Sequence, residues 1–214
     1  GLPHSASDHH EWRARCGDLA LVSDLLPNKP ARVLDVGSSN GWLSNRLTAL
    51  GCEVTAIDLF GDDCDGLGAM ARYRHSWRGI RMEVEKPDLI DEQFDVVVMN
   101  HGLHFLREPI ALLAALKRRV GANGVLIALG LRFFRSTKVR AAAVAEQRRK
   151  TVELAGCDLL NLPSWGLFDM RDQDTMRSLG LIVRGDPCHR LANLRARVQP
   201  SRALHKHGIW RAPC

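Results

Sequence analysis

With 214 residues, 45% of them hydrophobic and 25% charged, the chain is the size of one domain that can bury a substantial core. It contains no run of about eighteen apolar residues, which argues against a membrane-spanning helix, and its ordinary composition excludes a collagen-like or low-complexity chain. The net charge of +6 leaves nucleic acid, an anionic surface or an acidic substrate as partner classes. Six cysteines stand singly, without a C-x-x-C pair, so neither a zinc ribbon nor a redox motif is indicated. Reduced thiols and a cytoplasmic location are expected.

In chain order, Asp8 to Leu26 reads as a helix, with Trp12, Cys16, Leu19 and Ala20 at helical spacing and Asp8 as its cap. Pro27 to Pro30 ends it. His9 and His10 lack metal-ligand spacing and read as surface imidazoles; no metal site is expected anywhere in the chain.

The most informative stretch is Arg32 to Phe60. Val33-Leu34-Asp35-Val36 is an apolar strand that runs straight into Gly37-Ser38-Ser39-Asn40-Gly41; a helical segment, Trp42 to Leu50, and a second strand, Glu53 to Ile57, ending at Asp58, follow. Strand, glycine turn, helix and strand ending in an acid form half of a nucleotide-binding βαβ unit. The glycines let a ligand approach the backbone, the helix start presents unpaired N–H groups, and a strand-end acid accepts hydrogen bonds from ribose hydroxyls. The dinucleotide pattern G-x-G-x-x-G is absent. Instead, Asp35-Val36-Gly37-Ser38-Ser39-Asn40-Gly41 resembles the D/E-x-G-x-G-x-G motif of the class I methyltransferases dependent on S-adenosylmethionine (SAM), with Ser39 in place of the middle glycine.

That resemblance implies an α/β fold: a Rossmann-like, doubly wound, mostly parallel seven-stranded sheet with helices on both faces and an antiparallel last strand. It implies SAM as cofactor, with Asp35, the loop from Gly37 through Ser38, Ser39 and Asn40 to Gly41, Asp58 and the adjoining Leu59 around it. After Asp58, the acidic run to Gly66 lacks the closing glutamate of a calcium loop, which would fall at Arg72, and reads as a solvated loop entering a short helix at Ala69–Tyr73. A third strand is expected over Ile80–Glu85, and the family's adenine-contacting acid falls on Glu85, with Glu83 as second choice.

Phe94 to Asn100 is an apolar run without alternation, as in a central parallel strand covered on both faces. With His101-Gly102-Leu103-His104 it resembles the family's fourth strand and following loop. Asn100 is thereby a cofactor- or acceptor-contacting candidate. His101 and His104 are candidate general bases, since an imidazole at a strand's carboxyl end can move a proton at neutral pH. Pro109–Val120 reads as an amphipathic helix and Val125–Leu129 as a fifth strand. Thr137–Ala155 is helix-prone and basic, and residues 131–168 match the position of a substrate-covering insertion, making Phe133, Phe134, Trp165 and Phe168 pocket candidates. Asp169–Leu179 reads as a helix, Gly180–Gly185 as a sixth strand, His189–Val198 as helical or irregular, and His207–Ala212 as the closing strand.

The implied activity is methyl transfer from SAM to a small-molecule acceptor, within one domain spanning the whole chain. The strand end Asn100-His101-Gly102-Leu103 lacks the N-P-P-Y pattern used on DNA bases and glutamine. An RNA acceptor is the alternative, motivated by two basic clusters, Arg132–Lys150 and Arg184–Arg211. A non-catalytic SAM-binding or partner subunit, motivated by Ser39, is the third reading.

Overall fold

A computed structural model describes residues 10–103, 106–156 and 168–213. Among these, helix α1 (His10–Asp24) precedes a βαβ unit of β1 (Arg32–Val36), α2 (Trp42–Ala49) and β2 (Glu53–Asp58). Strands β3 (Arg78–Arg81) and β4 (Phe94–Asn100), helix α3 (Pro109–Lys117) and strand β5 (Val120–Phe134) come next. After them lie α4 (Thr137–Ala155), β6 (Phe168–Asp169), α5 (Met170–Ser178), β7 (Ile182–Gly185), α6 (Arg190–Val198) and β8 (Leu204–Arg211).

The sheet order is β3-β2-β1-β4-β5-β8-β7, with the short β6 paired to β5 off this path. Strands β1 to β6 pair in parallel, while β8 runs antiparallel to both β5 and β7. This is the expected doubly wound sheet with a reversed last strand, plus one two-residue strand that the sequence does not announce. The reason for the fold is in the strand interiors. Leu34, Val36, Val97, Met99, Leu126 and Ala128 meet α3 and α5 residues such as Leu113, Leu116 and Met176 on one face. On the other face Val33, Val96, Val98, Val125 and Ile127 join Val22 of α1 and Leu43 and Leu47 of α2. Burying both faces is what a parallel sheet needs. No helix among the described residues is long and apolar enough to cross a membrane.

Three expectations are corrected. The third strand is Arg78–Arg81 rather than Ile80–Glu85, because its ladder with β2 ends where β2 ends, at the Asp58–Arg81 pair. Met82 N–H still reaches the Asp58 carbonyl at 2.9 Å, and the chain then turns over Glu83–Lys86. The fifth strand does not stop at Leu129: it passes Gly130 (φ 67°) through a register shift and continues to Phe134 by pairing with β8. Residues 131–134 therefore belong to the sheet and not to a covering segment. Third, Phe133, Phe134 and Phe168 are buried core residues, not pocket walls. The rings of Phe133 and Phe168 lie 5.5 Å apart, and Phe134 packs with Val144 of α4. Trp165, Asp8 and His9 lie outside the described residues.

Candidate functional site

The carboxyl ends of β1 and β4 adjoin at the point where the sheet's winding reverses, the place where open α/β sheets bind ligands. A cleft of about 510 Å³ opens there. Its floor is the glycine loop. Gly37 (φ 68°) and Ser38 donate their N–H groups to the Ile57 carbonyl at 2.9 and 3.2 Å, which ties the loop to the end of β2. Ser39 sits in the left-handed region (φ 51°), a conformation that costs a side-chain-bearing residue about 1–2 kcal/mol. Two contacts hold it there: its N–H donates to Asp58 Oδ2 at 2.8 Å, and its Oγ donates to the Asp65 carbonyl at 3.0 Å. Asn40 Oδ1 accepts the Trp42 N–H at 3.2 Å, at the start of α2. Gly41 (φ 73°) must be glycine on two counts, since a Cβ would also come within 2.1 Å of the Trp77 ring.

Asp35 lies beneath this loop, 1% exposed, with the Ser44 hydroxyl donating to Oδ2 at 2.6 Å. Burial raises its carboxyl from 3.8 to about 6; the Ser44 hydrogen bond opposes the rise and the nearby Asp58 charge adds to it. Asp58, also buried, accepts the Ser39 and Phe60 N–H groups, one on each oxygen. It therefore positions the loop in the structure as it stands.

The tip of β4 supplies the next wall. Asn100 lines the cleft, and its Oδ1 is buried without a hydrogen-bond partner, as is Ser38 Oγ. Both residues line one cleft, and a polar ligand could satisfy these orphaned atoms after a rotation of their side chains. His101 follows in a left-handed conformation (φ 56°), stacked against Gly130, where a Cβ would stand 2.3 Å from its Nδ1. Its Nε2 is 2.9 Å from Oδ2 of Asp18, a 6%-exposed carboxylate on α1. In the tautomer that donates to Asp18 from Nε2, Nδ1 is the acceptor. His104 lies outside the described residues.

Beyond these, Arg15 of α1 lies over the rings of Trp12 and Trp42, at 5.0 and 5.8 Å. The far wall is Arg132 of β5, His205 of β8 and His189. Arg132 and His205 are cross-strand partners, and the imidazoles of His189 and His205 stack at 4.2 Å and 4°. Asp186 Oδ2 lies 2.5 Å from His189 Nδ1, and that hydrogen bond raises the His189 imidazole above its ordinary value.

Of the residues singled out from the sequence, the cleft brings together Asp35, Gly37, Ser38, Ser39, Asn40, Asn100 and His101, with Gly41 and Asp58 supporting the loop from behind. Leu59 and Glu85 do not line it. Leu59 is half exposed, with its carbonyl accepting from Arg81 Nε at 3.1 Å. Glu85 Oε1 accepts the N–H groups of Arg107 and Glu108 at 2.9 Å, just ahead of α3. Sequence reasoning missed Arg15, Asp18, His189 and His205 as site residues, and saw Arg132 only as one charge in a basic cluster. For Asp18 there was a faint signal, a carboxylate among apolar neighbours on the helix that precedes β1. For the histidines there was none, because antiparallel pairing far along the chain delivers them. Within the first basic cluster, Arg140, Arg149 and Lys150 pair with Asp172, Glu146 and Glu153, so much of its charge is spent inside the fold.

A methyltransferase domain family model matches residues 34–128, the stretch from β1 to β5 that builds this cleft. The malonyl-[acyl-carrier protein] O-methyltransferase of Enterobacter lignolyticus is 32% identical over 124 residues, covering 58% of this chain and 47% of that protein. The ubiquinone biosynthesis O-methyltransferase of Xanthomonas euvesicatoria is 34% identical over 114 residues, 50% of this chain and 46% of that one. The chain thus spans about half the length of the curated relatives it matches. Among solved structures, the Burkholderia thailandensis 1,6-didemethyltoxoflavin-N1-methyltransferase, holding its substrate and S-adenosylhomocysteine, shares the fold with a TM-score of 0.58 at 18% identity, over 99% of this chain and 86% of that one. Sheet order, glycine loop and these matches agree on the fold, that of the class I SAM-dependent methyltransferases, and residues 34–128 are similar to a methyltransferase domain.

Proposed function

We propose that the chain transfers a methyl group from SAM to a small-molecule acceptor bound beside it in the cleft. The observation that carries this reading is the pair of unsatisfied buried groups, Ser38 Oγ and Asn100 Oδ1, on residues that line a cleft of about 510 Å³ between glycine loop and β4 tip. That volume suits a cofactor and a compact acceptor. The names of the relatives, O-methyltransferases of a carrier-bound acid and of a quinone precursor, support an oxygen acceptor.

The residues divide the work as follows. The loop Gly37–Gly41, with Ser38, Ser39 and Asn40, receives the amino-acid end of the cofactor at the Asn40 N–H and the Ser38 hydroxyl, its other N–H groups being bonded within the fold. Asp35 beneath it supplies negative charge toward that end. Asp58 keeps lone pairs for the ribose hydroxyls after accepting its two backbone N–H groups. Asn100 orients the edge nearest the acceptor. SAM brings an already activated methyl group, so the protein's task is alignment and proton removal. His101 does the second: Asp18 fixes its tautomer, and Nδ1 takes the acceptor's proton.

Calorimetric titration with S-adenosylhomocysteine tests the cofactor half. The wild type should bind, and Asp58→Asn should bind at least tenfold more weakly while its melting temperature, read in parallel, reports an intact fold. Equal affinity in the two proteins would remove Asp58 from the ribose role; no heat in either would remove the cofactor reading altogether.

A further inference from the structure

The acceptor side of the cleft is cationic, and one of its charges is unspent. Arg132 projects from β5 two residues past Gly130 and lines the cavity with His189 and His205. Its Nε is buried without a hydrogen-bond partner, and among the described residues no carboxylate pairs with it. Burial lowers its ionisation from the ordinary arginine value, yet a guanidinium stays charged. A partly buried guanidinium with no anion costs desolvation energy without repayment, so the arrangement is stable chiefly as half of a pair. Of the acids around the cleft, Asp18 bonds His101, Asp35 bonds Ser44, Asp186 bonds His189, and the exposed Asp65 stands by Ser39 of the glycine loop. Asp186 favours the protonated form of His189, and the His205 ring stacks directly on it.

We infer that Arg132, with the stacked pair His189 and His205, forms an oxyanion-recognition subsite, and that the acceptor carries a carboxylate or phosphate group docked there while its nucleophilic atom faces His101. This rests on the methyltransferase reading and adds the class of acceptor. Three features fit. The guanidinium fork matches a carboxylate or phosphate edge with two parallel hydrogen bonds. Arg132 and His205 are held by the β5–β8 ladder, so the subsite is rigid. The wall and the glycine loop line one cleft, so an anchored acceptor shares that space with the methyl donor.

The test uses protein saturated with S-adenosylhomocysteine and three probes: 3,4-dihydroxybenzoate, its carboxamide and phenyl phosphate. Affinities are measured by calorimetry for wild type, Arg132→Met and Arg132→Lys. The wild type should bind at least one of the two anions tenfold or more tightly than the amide, and which of them it prefers identifies carboxylate or phosphate as the group recognised. Arg132→Met should lose that preference, Arg132→Lys should keep part of it, and both should hold S-adenosylhomocysteine as the wild type does. Equal binding of amide and anions, no binding of any probe, or a preference that survives in Arg132→Met overturns the subsite. If Arg132→Met instead weakens S-adenosylhomocysteine, the guanidinium serves the carboxylate of the cofactor, and the inference fails while the methyltransferase reading stands. If the wild type itself binds no S-adenosylhomocysteine, both fall together.

Discussion

Asp35 illustrates how a single buried carboxyl can couple stability to pH. Its ordinary value is 3.8, and in the fold burial moves it to about 6. Between those values the native state keeps a proton that the unfolded chain has released, so this group's contribution falls as pH rises and is least favourable above about 6. The span corresponds to about 3 kcal/mol. Asp35→Asn removes the charge but retains an oxygen for the Ser44 hydroxyl. The variant should therefore gain up to about 3 kcal/mol over wild type in urea unfolding at pH 8, with the gain vanishing near pH 4. A difference that does not change with pH would mean the carboxyl is not strained in the fold. If the charge is kept for a cationic amine of the cofactor, the same variant should bind S-adenosylhomocysteine more weakly at pH 8 despite its added stability. In the proposed reaction Asp18 acts through His101. Asp18→Asn preserves shape yet no longer favours protonation at Nε2, so turnover should fall about 10- to 100-fold and its pH profile should shift, with cofactor affinity unchanged. A loss confined to stability, with an unaltered pH profile, would make the contact a helix-docking bond only.

Elements, unlike single side chains, were largely readable when their signals were local. Strands β1 and β4 announced themselves as unbroken apolar runs because both of their faces are covered. The loop between β1 and α2 was legible because positive φ at Gly37 and Gly41 demands the residue found there. Helix α4 matched its expected span, and α5 begins at Met170, one residue past the predicted Asp169, which caps it reciprocally with Asp172. What failed were elements whose extent is set by a partner. β3 ends with β2, and β5 runs on past a left-handed glycine because β8 recruits it. β6 exists only because Phe168 and Asp169 pair with Phe133 and Phe134. That pairing joins the basic helix to the sheet, since Arg140 of α4 also bonds Asp172 of α5 at 2.7 Å. Phe168, 1% exposed, is the apolar keystone of the junction. Phe168→Ala should cost about 3–5 kcal/mol by denaturant unfolding, as large aromatic truncations in a packed core do. A cost under 1 kcal/mol would mean that the pairing carries little of the fold's stability.

At the scale of the whole molecule, the cleft is where parts from distant stretches of the chain meet above the core they share. The helix α1 contributes Arg15 and Asp18, the β1 loop its backbone, β4 the Asn100–His101 tip, and the reversed strand β8 brings His205 from the far end of the chain. The sequence could reveal the loop and the β4 tip because each is a contiguous motif. It could not reveal the cationic wall, whose members are joined only by the antiparallel closure of the sheet. A ligand held by all of these should stabilise the chain as a unit. For binding to the native state alone, a hundredfold excess over Kd contributes about 2.7 kcal/mol. In a domain of about 200 residues each kcal/mol moves the melting temperature by about 2–4 °C. S-adenosylhomocysteine at that concentration should therefore raise the melting temperature by about 5–11 °C, and the rise should grow with the logarithm of ligand concentration. Adenosine alone, which lacks the amino-acid end assigned to the glycine loop in the proposed mode, should give a smaller rise at equal concentration. A chain that has kept the fold but lost the cofactor, through the left-handed Ser39 where glycine is usual in the family motif, would show no shift with either compound. Ser39→Gly would then be the variant to restore it, because glycine adopts that conformation without the Cβ penalty.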